Sequence, residues 1–458
     1  MLPASIEERL KRLEADNARL NEELKSLKND HVSLDDRLSQ LMSQVSGRIT
    51  GYLDFGFFYV QGNGSGIRPD YGNQVFPEYS DVPGSWVFLG DPLATAINSR
   101  GDPADTDGSR AVTFDSVHNG GKPSFIVNSL TINLFAGLGK HLTLNASFDL
   151  VPRNANVSLP LNGEDPNAHN PSLEGMGGAA TGTGSFIDIK LAYAEYTVPT
   201  DRFDLKLYAG KFDSVLGIEY RSQESPDRIT VTPSLICRYT CGRPLGLKAR
   251  ARFFDDLLIL ALSVTNGSSF VELFPFYEQI DTNFFKTISG RIATRIPVGA
   301  GLELGFSGAF GAQDFQSDDS VYQYHLGGDL HLEIRDFDLR AEYVSGAAEG
   351  KDQAASGGMA AVSCGVAPCL HYQGLYAQAA YRVLNWLMPY VRVDWRDATH
   401  RAVQSYVYVS DLMRVTGGLR FDIGQWVIIK AEYTYIKELG RIPQFNDDVF
   451  TSSLVVKY

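Results

Sequence analysis

No run of eighteen uninterrupted apolar residues occurs anywhere in this 458-residue chain, although 44% of its residues are hydrophobic. A spanning helix needs about 20 apolar residues in a row, so a helical membrane protein is excluded. Positive charge is also short: 41 Lys and Arg stand against 54 Asp and Glu, a net charge of -13. That balance excludes nucleic acid as the main partner. No internal repeat of fixed length is present, which argues against a propeller. The Gly-rich runs lack a following phosphate-binding helix, and no Ser/His/Asp set can be placed by sequence. No enzyme and no cofactor is therefore expected. Met1–Arg9 lacks the basic-then-apolar run of a secretory signal.

Cysteine is scarce and paired. The four residues form two close pairs, Cys237/Cys241 and Cys364/Cys369, both in turn-rich sequence. Local disulfides suit an oxidising compartment, and closing so short a loop contributes roughly 2 kcal/mol on the chain-entropy estimate. Bridges between the two pairs also satisfy the count. Zinc is the sharper alternative, but no His accompanies either pair at ligand spacing, so no metal site is expected.

What is present falls into two materials. Over residues 1–46, Ile6, Leu10, Leu13, Asn17, Leu20, Leu24, Leu27, His31, Leu34, Leu38, Leu41 and Val45 recur at spacings of four and three. This heptad stripe predicts an α-helical coiled coil roughly 60 Å long at about 1.5 Å per residue. A lone helix cannot bury the stripe, so oligomerisation is implied, with Asn17 as a register-fixing polar interruption. From Arg48 the period changes to two. About sixteen strand candidates follow over residues 47–458, near 48–61, 124–137, 140–152, 185–199, 202–213, 243–254, 256–267, 284–297, 300–311, 321–335, 337–347, 370–384, 387–398, 409–423, 425–438 and 448–458. Short corners such as Leu138-Gly139, Asp255-Asp256 and Gly424 alternate with long polar connections, chiefly 62–123, 153–184, 214–242 and 348–369. The latter are rich in Gly, Pro, Asp and Asn and read as solvated loops.

The hairpin after Pro244 sets the fold class. Leu245, Leu247, Ala249, Ala251 and Phe253 share one parity, and Lys248, Arg250 and Arg252 the other. Side chains alternate faces along a strand, and unpaired charge is costly in a packed core. The pattern fits a strand with lipid on one face and water on the other, so the chain reads as an all-β transmembrane barrel of about 16 antiparallel strands. A barrel needs export, so this reading expects a mature or recombinant chain.

The last strand carries Phe450, Ser452, Leu454, Val456 and Tyr458 on one face and ends on an aromatic residue. It resembles the assembly signal of bacterial outer-membrane proteins, with Tyr in place of the usual Phe. The whole plan resembles sixteen-stranded trimeric porins, in particular the phosphate-selective and dicarboxylate groups that carry an N-terminal periplasmic coiled coil. The segment Gly210-Lys211-Phe212-Asp213-Ser214-Val215-Leu216-Gly217-Ile218-Glu219 is similar to the passage that leads, in phosphate-selective porins, into a third loop folded into the pore. The resemblance implies a bacterial outer-membrane location, a homotrimer set in lipid, a pore-constricting loop at about 214–242, and passive passage of small hydrophilic solutes.

With one parity facing water, the wall reads directly. Lys248, Arg250, Arg252, Arg291 and Arg295 form one basic arc; Arg382, Arg392, Arg396, Arg414 and Arg420 form another, with Asp394 and Asp422 interspersed. Asp54, Asp149, Asp188, Glu303, Asp329, Glu333, Asp338 and Glu342 are acids elsewhere on the wall. Loop residues Glu219, Arg221, Glu224, Asp227 and Arg228 would set a transverse field against the arcs, and fixed charge at a constriction selects by sign and size. Some anion preference is expected. The competing readings are an envelope-spacing or adhesion protein whose barrel is only an anchor, and a barrel-embedded hydrolase.

Overall fold

The computed structural model describes residues 47–61, 68–70, 86–89, 123–150, 187–200, 203–267, 283–297, 301–312, 319, 321–350, 369–403, 406–440, 444 and 446–458. The heptad stripe at 1–46 lies outside them. The described strands are β1 (Arg48–Val60), β2 (Arg68–Asp70), β3 (Trp86–Leu89), β4 (Ser124–Leu138), β5 (Leu142–Leu150), β6 (Ile187–Val198), β7 (Asp204–Lys211), β8 (Leu245–Phe253) and β9 (Leu258–Thr265). They continue as β10 (Thr287–Ile296), β11 (Gly301–Ala312), β12 (Val321–Ile334), β13 (Phe337–Gly350), β14 (Cys369–Tyr381), β15 (Leu387–Val403), β16 (Tyr406–Ile423), β17 (Val427–Glu438) and β18 (Val449–Lys457).

Sixteen of these close an antiparallel barrel in chain order. Closure comes from β1, which pairs with β18 on one side and β4 on the other. The remaining two, β2 and β3, pair with each other in the connection between β1 and β4, and β3 adds parallel to β16 at Tyr406–Val409. A closed barrel leaves no strand edge unpaired, as a sheet in lipid requires.

The faces follow the sequence parity. In β9, Leu262 is 56% exposed on the outer face while its neighbour Ser263 is 2% exposed on the inner one. Leu247 on β8, Leu304 and Phe306 on β11, and Leu454 and Val456 on β18 likewise point outward. This outward apolar surface is what a membrane wants and a water-soluble barrel would not tolerate. The corner after β8 is tight: Phe254, Asp255 and Asp256 all adopt positive φ, at 55, 55 and 69°. Asp enters the left-handed region more readily than most residues, which suits the two acids to this turn. Gly424, with φ 63°, turns β16 into β17.

One expected connection is instead strand. Residues 399–408 separate two candidates in the sequence reading, but β15 runs to Val403, with β14 beside it as far as Arg401, and β16 starts at Tyr406, six residues before its pairing with β17 begins at Leu412. The segment carries Thr399, Val403, Tyr406, Val407, Tyr408 and Val409, residue types that favour extended backbone.

Candidate functional site

Composition alone read the connection between β7 and β8 as solvated, whereas the resemblance implied a loop folded into the barrel. Between Phe212 and Pro244 most side chains are buried, among them Phe212, Val215, Ile218, Val231, Leu235, Ile236 and Tyr239. Its partners are inward-facing side chains of β1, β6, β8, β11, β13, β15, β16 and β17, so the segment lies inside the barrel. The reason is legible in composition. Residues 229–237 read Ile-Thr-Val-Thr-Pro-Ser-Leu-Ile-Cys, without Gly and without charge.

Buried backbone needs hydrogen-bond partners, and here the barrel wall supplies them. Three strands contribute a carboxylate each. Glu342 on β13 accepts from the N–H groups of Ile218 and Glu219, at 3.0 and 2.5 Å, and from the Tyr376 hydroxyl at 3.0 Å. Asp394 on β15 accepts from Leu235 N–H at 3.1 Å. Glu432 on β17 accepts from Val231 N–H (2.7 Å), Thr232 N–H (2.9 Å), Thr232 Oγ1 (2.5 Å) and Tyr390 (2.8 Å). Gly217 (φ 65°) passes so close to Glu342 that any Cβ there would collide with the carboxylate.

Cations on the same walls take the loop carbonyls. Arg392, 1% exposed, donates to Thr230 Oγ1, to the carbonyls of Thr232 (2.7 Å) and Pro233 (3.0 Å), and to Asp394. Arg414 reaches the Pro233 carbonyl, and Arg420 those of Arg228 and Pro226. Arg396 donates to the Tyr239 hydroxyl, while the Tyr239 ring stacks on Tyr372 at 3.7 Å. Lys430 is fully buried and donates to the carbonyls of Ser225, Arg228 and Thr230. The second basic arc thus lies beneath the loop. Sequence reasoning missed Lys430, Glu432, Lys190 and Arg243, although the first two share the inward parity of Ile428, Thr434 and Ile436.

On the opposite side the loop makes a second set of pairs. Glu224 is held by Lys190 and Arg243 and accepts from Tyr52 at 2.5 Å. Burial would raise its carboxyl, but Lys190 and Arg243 override that and hold it well below the usual carboxylate range. Arg221 pairs end-on with Glu303, which also takes Arg291; Arg291 in turn holds Asp329. Glu219 turns back to accept from Ser234, and burial pushes its carboxyl up despite nearby Arg392. Arg228 bonds carbonyls of its own loop, and Asp227 is exposed.

The side lined by β7 and β8 stays reached by water. Lys248, Arg250 and Arg252 are all partly exposed, unlike Arg392, Arg396 and Arg414 under the loop. Lys248 donates to the Asp213 carbonyl at 2.8 Å and lies 4.6 Å from the ring centres of Tyr208 and Phe212. Arg252 approaches Asp256 at 3.5 Å, and Lys206 pairs with Glu195 at 2.8 Å. Arg295 is exposed nearer the short-turn rim, beside Gly301. At the same short-turn rim, Arg382 pairs with Asp422 and Arg340 with Asp338.

Cys237 and Cys241 are bonded to each other inside the loop, flanking a single helical turn at Cys237–Thr240. Their sulfurs lie near the Glu219 carboxylate, but bonded sulfurs offer no thiolate to a metal. Cys364 lies outside the described residues, as do the side-chain surroundings of Cys369.

A closed sixteen-stranded barrel with an apolar exterior and a charged interior is matched by a sequence family. The profile of the family described as beta-barrel porin-2, OmpL-like, matches residues 118–456. The chain belongs to that family. Its family and fold are those of outer-membrane porins. Among solved structures this porin is similar to Salmonella typhi OmpF in complex with daunomycin, with TM-score 0.50 and 10% identity over 90% of this chain and 97% of that one. It is also similar to an anion-selective porin from Comamonas acidovorans, with TM-score 0.47 and 10% identity over 90% and 99% of the two chains. The outer-membrane channel DcaP of Acinetobacter baumannii gives TM-score 0.46 and 10% identity over 90% and 97%. At such identity the likeness to OmpF is one of fold. No curated protein sequence matches this porin.

Proposed function

We propose that this porin forms a water-filled channel for passive diffusion of small hydrophilic solutes, with a preference for anions. The observation that carries the proposal is the asymmetry of the lumen. The β15–β17 wall is consumed in holding the loop, whereas the β7–β8 wall keeps Lys206, Lys248, Arg250 and Arg252 partly exposed to water. In a narrow passage such charges are screened less than on an open surface and favour entry of the opposite sign. The loop Phe212–Pro244 narrows this passage rather than merely capping it. Purified protein in a planar bilayer is expected to give discrete conductance steps.

The filled β15–β17 side also favours a second reading, in which the barrel is an envelope-spacing or adhesion anchor. Purified protein that inserts without conducting would support that reading and contradict the first.

Assembly as a homotrimer through a parallel coiled coil over residues 1–46, on the periplasmic side, completes the proposal. Chains of one membrane oligomer share one orientation, so helices at their N-termini run parallel. Both ends of the closed sheet, Arg48 and Tyr458, lie at the short-turn rim. Deleting residues 1–45 is expected to leave a folded, conducting barrel, because the strand pattern begins only after Gly47. Loss of barrel folding in detergent on that deletion would show that the two parts are not separate modules.

A further inference from the structure

The loop is not uniformly sealed. From Phe212 to Ser222 it is buried at nearly every position, and Tyr220 and Arg221 are the residues beyond Asp213 that it leaves open to water. Arg250 on β8 lies in one lateral row with Ala261 and Arg291, and Arg291 shares Glu303 with Arg221, so Tyr220 and Arg221 lie on the Arg250 side of the lumen. Arg250 sits opposite Lys206 in the β7–β8 register, one step from the Tyr208–Lys248 pair. The cations around it are already engaged: Lys206 by Glu195, Lys248 by the Asp213 carbonyl, Arg252 by Asp256 and Arg221 by both oxygens of Glu303. Among the described residues, Arg250 has no ion pair and no hydrogen bond.

From this juxtaposition we infer a solute-docking subsite between Arg250 on the wall and Tyr220 on the loop, built for small aromatic monocarboxylates. The inference rests on the channel reading above and deepens it. A guanidinium without a partner takes a carboxylate through paired N–H donors. The Tyr220 ring across the path offers a flat apolar face to a ring on the same solute. A second negative charge on the solute gains little here. Lys206, Arg221 and Arg252 are already paired with acids, Lys248 is tied to the Asp213 carbonyl, and Glu195, Glu303 and Asp256 add acid to the surroundings. The subsite therefore selects one charge plus a flat body, where the resemblance to phosphate and dicarboxylate porins implies two charges.

The test is bi-ionic reversal potentials of the whole protein in planar bilayers, with chloride, acetate, benzoate and phthalate as anions. The parent should pass benzoate better than acetate, and better than phthalate. Arg250→Gln should lower the preference for every anion over potassium, and Arg250→Lys should keep that preference. Tyr220→Leu should reduce the benzoate-to-acetate permeability ratio by about threefold, the effect of losing one aromatic contact, while chloride over potassium stays unchanged. An anion-selective parent whose Arg250→Gln variant is equally selective overturns the subsite and leaves the channel proposal standing. Phthalate passing better than benzoate in the parent, or a Tyr220→Leu ratio equal to the parent's, also overturns it. A parent without conductance steps, or without anion preference, overturns the channel proposal and the subsite together.

Discussion

Glu432→Gln is expected to loosen the lumenal loop from β17 and to give a noisier channel of higher conductance. The Glu432 carboxylate accepts from four donors: Val231 N–H, Thr232 N–H, Thr232 Oγ1 and the Tyr390 hydroxyl. A carboxylate has about four acceptor sites, whereas a carboxamide has one carbonyl oxygen and turns its own NH2 toward the remaining donors. The size and shape of the side chain barely change. One hydroxyl can turn to accept from that NH2, but the backbone N–H beside it, of Val231 or Thr232, would lose its partner in a site 2% exposed, at a cost of about 1–3 kcal/mol. The barrel itself should survive, because its strand pairing does not involve this side chain. Single-channel recordings at high salt check the outcome. Current traces indistinguishable from the parent's would show that these bonds do not hold the loop.

Arg392→Met is expected to cost more. Its guanidinium bridges Thr230, Thr232 and Pro233 of the loop to Asp394 on the same strand, all out of contact with water. Met keeps much of the length and fills the space with an apolar stem. What it leaves is a fully buried Asp394 whose remaining cation, Arg414, stands 3.6 Å away. Removing one partner of a buried pair typically costs about 3–5 kcal/mol. Thermal unfolding in detergent should show the loss. Adding Asp394→Asn should recover part of it, since the uncompensated charge goes with it. A double variant less stable than Arg392→Met would mean that Asp394 matters through Leu235 rather than through Arg392.

Much of the barrel could be read from the chain because its signal is local. Lipid outside and water inside impose a strict period of two, so Leu260, Leu262 and Val264 declare one face and Ser263 and Thr265 the other without any knowledge of partners. The turns declare themselves through Gly139, Asp255-Asp256 and Gly424. The lumen was legible only halfway. Parity placed Arg392, Arg414 and Arg420 on the inner wall, but whether an inner-wall charge meets water or a loop depends on contacts 150 to 200 residues away in sequence, such as Arg420 with Arg228. Nothing near Arg392 distinguishes it from Arg250. The loop itself carried a signal that average composition hid: its Gly and its charged residues all fall outside Ile229–Cys237, which is uncharged and largely apolar. The long hairpin of β15 and β16 was missed for another reason, since Arg401 and His400 interrupt the apolar alternation that marks a strand.

The central claim is that the loop divides the lumen into a sealed β15–β17 side and an open β7–β8 side. An anionic methanethiosulfonate reagent, added during single-channel recording, tests it on two variants, Arg250→Cys and Thr416→Cys. Thr416 faces inward on β16, is fully buried, and bonds Thr434 at 3.0 Å. The account predicts that Arg250→Cys channels change conductance within the recording while Thr416→Cys channels do not respond. Modification of Thr416→Cys as fast as that of Arg250→Cys would contradict it.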